Sequence, residues 1–497
     1  MKFHRHPGRR ATLLSLIAAA TLAACGGGGG DSSGASAAAL AAALAAQQAG
    51  AGGAGAGNPP APPPPAAPEP EETRAQDSRQ FTVDETKLPF AALSGAPDTD
   101  RWWGVLEGAG YRVEVPKNWN GMLVMYAHGY GGTGPVVSVS DPTIRAHLIG
   151  QGYAWAASSY TKNYYDVRAG VEDTNALALA FQRIASQNGR TLDAPRKTYI
   201  VGQSLGGHVA AAAVDAEATE TANHKVRYAG AVPMCGVLGD TELYNYFGAS
   251  QIAAQQLAGL PVTGWPVSNW ADLLPTVRAA LFTRFPSATT AQGEKYKAIV
   301  KNLTGGERPM FDAGFAGSMN ATVWGTFGRD GTINGILNRD GYDTTGIVYQ
   351  LDNDPAQNAE EITFNQGAYR LHADPEANRL RRDGLRWFPK SNARIDVPVV
   401  TIHTLGDVYV PFSMEQIYKR RADALGTSKW LVQRAIRGIS HCDFTTEEQT
   451  QAFDAMTNWE QNGVKPAGDE VLDAATVARA DYGCKFSSAS RGGCPAP

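Results

Sequence analysis

The sequence predicts an α/β fold: a mostly parallel sheet with helices on both faces, interrupted by one large, mainly helical insertion. Three observations predict it. Runs of β-forming residues alternate with helically spaced segments over residues 100–240 and resume over 390–460, and such alternation builds parallel sheets covered on both sides. At Thr198–Gly207 a short run of β-formers meets a glycine-flanked serine and then an Ala-rich segment, the pattern of strand, sharp turn and helix. Between Leu238 and Arg394 lie roughly 150 residues where a short connection would join two core strands.

In chain order, Lys2, Arg5, Arg9 and Arg10 precede the apolar run Leu13–Ala24, which closes on Leu22-Ala23-Ala24-Cys25. A basic start, a short apolar run and small residues form a secretory signal, and the run is too short to span a bilayer. Leu-Ala-Ala-Cys resembles the lipobox of bacterial lipoproteins, which implies lipidation of Cys25 and anchoring to a membrane through it. Gly26 in place of Asp does not suggest inner-membrane retention, so the outer membrane or cell surface is expected. Residues 1–25 are therefore read as signal and lipidation site. Residues 26–79 are Gly, Ala and Ser, then Pro-rich around Pro59–Pro65. They hold too little apolar bulk to offset ordering entropy and are read as a tether, flexible first and stiffer later.

The remainder divides into a core, residues 80–238 and 395–497, and an insertion, residues 239–394. The core reads as strands at Tyr111–Val115, Met122–Ala127, Tyr153–Tyr160, Thr198–Val201, Ala229–Met234, Val399–His403 and Trp430–Ile436, with helices at Val171–Gln187 and His208–Ala218. Within the insertion, Ile252–Leu260, Trp270–Phe282 and Glu294–Leu303 have helical spacing. A net charge of −4 without a basic stripe argues against nucleic acid as a partner. Five cysteines in an exported chain favour disulfides, and the four left after Cys25 permit three pairings.

Gly202-Gln203-Ser204-Leu205-Gly206, the earlier His128-Gly129-Tyr130, and the later Gly406-Asp407-Val408-Tyr409-Val410-Pro411 and Ser440-His441 together resemble the α/β-hydrolase superfamily, in its chain order Ser, Asp, His. The resemblance implies a serine hydrolase acting on carboxylic esters, with the insertion as a cap over the site. Ser204 needs a base within hydrogen-bond reach; His441 is the candidate, since an imidazole can take a proton near neutrality and return it. Asp407 would fix the tautomer of His441, with Asp443 as the alternative carboxylate. Leu205 N–H and, by resemblance, Tyr130 N–H would form the oxyanion hole. Tyr130, with Tyr160, Tyr164 and Tyr165 after the next strand, is a candidate for an aromatic wall at the acyl group, and Trp265, with Trp270, Trp324, Phe364 and Tyr369, for an aromatic-lined pocket in the insertion. His208 and His403 read as structural. No metal spacing is present, and neither a metal nor a cofactor is implied.

Tannase and feruloyl esterase relatives link a cysteine beside the triad serine to one after the histidine. Residue 203 here is Gln, so that pair is absent from its usual place. By analogy, Cys235 is expected to bridge Cys442, which leaves Cys484 with Cys494. Resemblance to large-cap bacterial esterases suggests an aromatic or polyester-type ester, hydrolysed by a monomer. The alternatives are a peptidase of the same superfamily, with Glu360 or Glu361 holding a substrate amine, and a surface binding protein that has lost the chemistry.

Overall fold

The computed structural model describes residue 74 and residues 76–494. Residues 1–73 and 75, with the signal, Cys25 and most of the tether, lie outside the described residues. Among the described residues no helix is long and apolar enough to cross a membrane.

The centre is an eight-stranded sheet. In chain order its strands and principal helices are β1 (Thr99–Leu106), β2 (Ala109–Pro116), β3 (Met122–Ala127), β4 (Ala154–Ser158), α1 (Val167–Gln187), β5 (Lys197–Gln203), α2 (Leu205–Ala213) and β6 (Gly230–Met234). The insertion then supplies α3 (Glu242–Leu257), α4 (Trp270–Leu281), α5 (Ala291–Leu303) and α6 (Ala359–Gly367). The chain returns through β7 (Val399–Thr404), α7 (Ser413–Leu425), β8 (Leu431–Ile436) and α8 (Thr446–Asn462). Across the sheet the order is β1-β2-β4-β3-β5-β6-β7-β8. Only the β1–β2 and β2–β4 pairs are antiparallel.

Residue type accounts for this layout. Along β3 the side chains alternate between two apolar layers: Leu123, Met125 and Ala127 join one cluster, Val124 and Tyr126 the other. A strand apolar on both faces belongs in the middle of a parallel sheet. The edge strand β1 was not legible, because Thr99-Asp100-Arg101 is polar and only half covered. It joins β2 through Glu107 (φ 50°) and Gly108 (φ 89°), and a two-residue turn with positive φ at both positions matches the twist of a hairpin. Helix α1 begins at Val167, where Asp166 accepts the Ala169 N–H. The segment expected as one helix from His208 to Ala218 breaks near Val214, because Asp215 caps a second short helix at Ala216–Thr221.

The insertion is helical only in part. From residue 325 to 358 and from 368 to 398 the chain has neither helix nor strand. Side chains hold it instead: Arg370 donates to the carbonyls of Thr344, Ile347 and Asn365, and Asn365 both accepts from and donates to the Tyr349 backbone. One apolar cluster runs without a break from β3 and β5 into α3, α4 and α5. Packing also begins ahead of residue 80. Arg74 is 5% exposed, pairs with Asp166 at 2.7 Å and lies 3.9 Å over the Trp387 ring. The tether boundary read at residue 79 therefore falls inside the packed body.

Candidate active site

Ser204 sits between β5 and α2 at φ 59°, ψ −121°, a left-handed backbone that a non-glycine residue adopts only where its surroundings hold it. The surroundings are tight. A Cβ at Gly202 would strike the Gly206 carbonyl, one at Gly206 the Ala127 carbonyl, and one at Gly207 would come within 2.7 Å of the Gly236 Cα. The Ser204 N–H is tied to the Met234 carbonyl at 3.0 Å. The hydroxyl is thereby presented beyond the carboxyl end of the sheet, while the first turn of α2 points N–H groups the same way.

The loops after β7 and β8 bring the partners in. His441 Nε2 lies 2.7 Å from Ser204 Oγ, and its Nδ1 lies 2.5 Å from Asp407 Oδ2. Asp407 is fully buried; its other oxygen accepts the N–H groups of Tyr409 and Val410 at 2.9 and 3.0 Å. The two loops are sewn together by Gly406 N–H to Gly438 O and by Thr404 Oγ1 to Ser440 O. Asp443, the alternative carboxylate, accepts the Ile439 N–H and pairs with Arg491 instead. The insertion braces the acid loop from the other side: Arg308 Nε donates to Leu405 O at 2.7 Å and Tyr246 Oη to Val408 O at 2.8 Å.

Cys235 and Cys442 are bonded, as are Cys484 and Cys494. The first bridge joins the end of β6 to the residue after His441. Ligand atoms of Cys235, His441 and Cys442 lie within 4.8 Å of one another, but both sulfurs are consumed by the bridge. Beside the serine, Gln203 donates to Gln449 on α8 at 2.8 Å.

The 128–132 loop lies against Ser204: a Cβ at Gly129 would be 3.4 Å from Ser204 Cβ. Tyr130 follows on this loop, and Leu205 is the first residue of α2. Tyr160 is not part of a substrate wall. It is buried beneath the loop, its ring 4.0 Å from that of His128 and its hydroxyl donating to His128 O at 3.0 Å. Burial pushes the His128 imidazole below its ordinary range. Tyr164 is half-buried under the Arg79 guanidinium, 3.6 Å above its ring, and Trp265 packs 6.1 Å from Tyr342.

Sequence reading missed Tyr409, whose ring stands edge-on to His441 at 5.7 Å. Its position two residues after Asp407 was the available signal. His208 and His403 are sealed in the core, as expected. Both Glu361 oxygens accept backbone N–H groups, of Leu351 and Asn358, and Glu360 is exposed and paired with Lys295.

A serine hydroxyl bonded to an imidazole, itself bonded to a buried carboxylate, is an arrangement that can generate an alkoxide-like nucleophile and recycle its proton. No protein-family model matches the chain, and no curated protein matches it. Among solved structures it is similar to an acylaminoacyl peptidase of Pyrococcus horikoshii, at 10% identity over 78% of this chain and 44% of that one, TM-score 0.35. It is similar also to feruloyl esterase B of Aspergillus oryzae, at 14% identity over 77% and 86% of the two chains, TM-score 0.35. A third is an esterase of Aspergillus oryzae, at 11% identity over 78% and 85%, TM-score 0.38. The chain spans less than half the length of the peptidase. Scores this low add nothing to what the strand order already says. With a sheet ordered β1-β2-β4-β3-β5-β6-β7-β8, a strained serine between strand and helix, and Ser, Asp, His in that chain order, the chain has the α/β-hydrolase fold.

Proposed function

We propose that the chain is an exported serine hydrolase cleaving carboxylic esters through an acyl-enzyme. One observation carries the reading: the unbroken hydrogen-bond chain from Ser204 Oγ through His441 to Asp407. Ser204 Oγ attacks the ester carbonyl carbon while His441 Nε2 takes its proton, and the carbonyl electron pair moves onto oxygen. Leu205 and Tyr130 N–H groups stabilise that oxyanion. When it collapses, the alkoxide leaves with the proton from His441 and the acyl group stays on Ser204. Water then repeats the sequence and releases the acid. Asp407 keeps the Nδ1 proton in place and stabilises the imidazolium.

Tyr409, edge-on to His441, and Tyr130, next to the Gly129 that lies against Ser204, support an aromatic or polyester-type ester as substrate. The peptidase reading loses its amine-holding carboxylates, since Glu361 is engaged as a helix cap and Glu360 by Lys295. Export and lipid anchoring at Cys25 are supported by the N-terminal pattern and by two disulfides, which persist in oxidising compartments. In the test, the wild type turns over p-nitrophenyl acetate and not an aminoacyl-nitroanilide. Ser204→Ala loses at least roughly 10⁴-fold in kcat; a fully active Ser204→Ala variant rejects the nucleophile. Cys25→Ser releases the protein from membranes, and continued membrane retention rejects the anchor.

A further inference from the structure

We propose that the ester taken by this site carries a carboxylate on its acyl or alcohol part, and that Arg79 and Arg329 receive that charge. This rests on the hydrolase reading above and names the substrate class within it.

A chain of packed aromatic rings, most of them phenols, leads away from His441. Tyr409, edge-on to His441, stacks at 5.7 Å on Phe247. Tyr244 lies 5.7 Å from Phe247 and 6.0 Å from Tyr342. Tyr130, beside Ser204, is within electrostatic reach of Tyr244 and Tyr409, as Tyr342 is. Burial lifts all four phenols above their ordinary range, Tyr409 to about 12, so each keeps its proton and can donate. Among the described residues none of these four hydroxyls has a hydrogen-bond partner, and none is sealed from solvent. The site thus presents donors in excess.

Two guanidiniums stand with them. Arg79 lies flat over Tyr164, whose N–H is fixed on Gly132 O at 2.8 Å, so it sits at the loop that carries Tyr130. Its Nε donates to Gln76 O, while one Nη is buried with no partner. Arg329 is exposed and stands two residues before Gly331, whose carbonyl accepts the Gly341 N–H at 2.9 Å next to Tyr342, and its charge is felt by Tyr130, Tyr342 and Tyr409. Among the described residues neither arginine forms an ion pair. The acidic groups near Tyr342 are engaged locally: Asp330 accepts the N–H and O–H of Thr332, and Asp340 the Tyr342 N–H. A neutral ester offers these donors little beyond its carbonyl. A carboxylate matches them, because guanidinium forks and phenols bind carboxylate oxygens by charge-assisted hydrogen bonds.

The test compares kcat/KM within two ester pairs on the full chain, each corrected for spontaneous hydrolysis. Mono-4-nitrophenyl succinate against 4-nitrophenyl butyrate places the charge on the acyl side; 4-acetoxybenzoate against phenyl acetate places it on the alcohol side. In one pair the anionic member is preferred by about five- to tenfold, and the preference shrinks in 1 M salt. In Arg79→Gln/Arg329→Gln the preference collapses towards unity, whereas Arg329→Lys retains part of it; the exposed position of Arg329 lets Arg329→Gln alone serve if the double variant melts early. Neutral esters preferred in both pairs, or a preference surviving loss of both arginines, overturns the proposal. If the wild type turns over none of the four esters, the hydrolase reading itself fails, and this inference fails with it.

Discussion

His208 and His403 are both sealed in the core, yet their partners assign them opposite charge states. His208 meets one donor and one acceptor, the Tyr165 hydroxyl at 3.3 Å and Pro389 O at 2.8 Å, which suits the neutral ring. Burial lowers it to about 4, against the pull of Asp240. Its contribution to stability is therefore present above the free value near 6.5 and is lost as pH falls from there through about 4, a loss of about 3 kcal/mol. His403 meets two acceptors, Glu415 Oε1 at 3.3 Å and Val410 O at 2.8 Å, so both ring nitrogens need hydrogen. Burial opposes that charge, but the bond to Glu415 and its charge prevail and the imidazolium is favoured. Its contribution is present below the free value and is lost as pH rises through the raised one. Melting temperature against pH should separate the two. His208→Gln, which keeps a donor and an acceptor, flattens the acid limb; Glu415→Gln flattens the alkaline limb. An acid limb unchanged in His208→Gln would refute the assignment.

Between β6 and the loop after β8, the Cys235–Cys442 bridge closes a chain segment of 207 residues directly beside His441. Ser204 is already tied to the end of β6 through Met234 O, so the bridge fixes His441 and Ser204 to the same strand. Replacing both cysteines with serine should lower stability by about 2–5 kcal/mol. It should also lower kcat more than KM, because a base free to drift loses orientation rather than ground-state affinity; equal kcat in bridged and unbridged protein would show that the loop is held by Thr404 and Gly438 alone. The elements carrying the chemistry were legible because their signals are local: glycines that only a crowded turn requires, and Asp and His in short strings after apolar runs. Aromatic roles were not legible. Tyr160 and Tyr409 both follow core strands, and only the direction each ring takes puts one beneath the His128 loop and the other against His441. The irregular half of the insertion was hidden for a related reason. Its order comes from Arg370 and Asn365 reaching backbone groups more than fifteen residues away, and such bonds leave no periodicity.

Composition alone placed the start of the folded body near residue 80, since residues up to 79 show too little apolar bulk to pack. The molecule uses cations there instead. Arg74 joins Arg168 and Arg381 around the Trp387 ring, at 3.9, 4.2 and 4.3 Å, and pairs with Asp166, the cap of α1. Asp77 then meets Lys162, and Arg79 covers Tyr164. This strap binds the core at α1 to the returning arm of the insertion and ends beside the loop that carries Tyr130, so fold and site depend on residues that composition assigns to the tether. A chain beginning at Arg74 should match the full chain in melting temperature. One beginning at Thr82 leaves Asp166 buried without its cation, at a cost of about 3–5 kcal/mol, which for a body of this size is roughly 3–6 °C. It should also lose ester turnover beyond what the lower stability explains, because Tyr164 and the loop before it are uncovered. Equal melting temperatures for the two chains would return residues 74–81 to the tether.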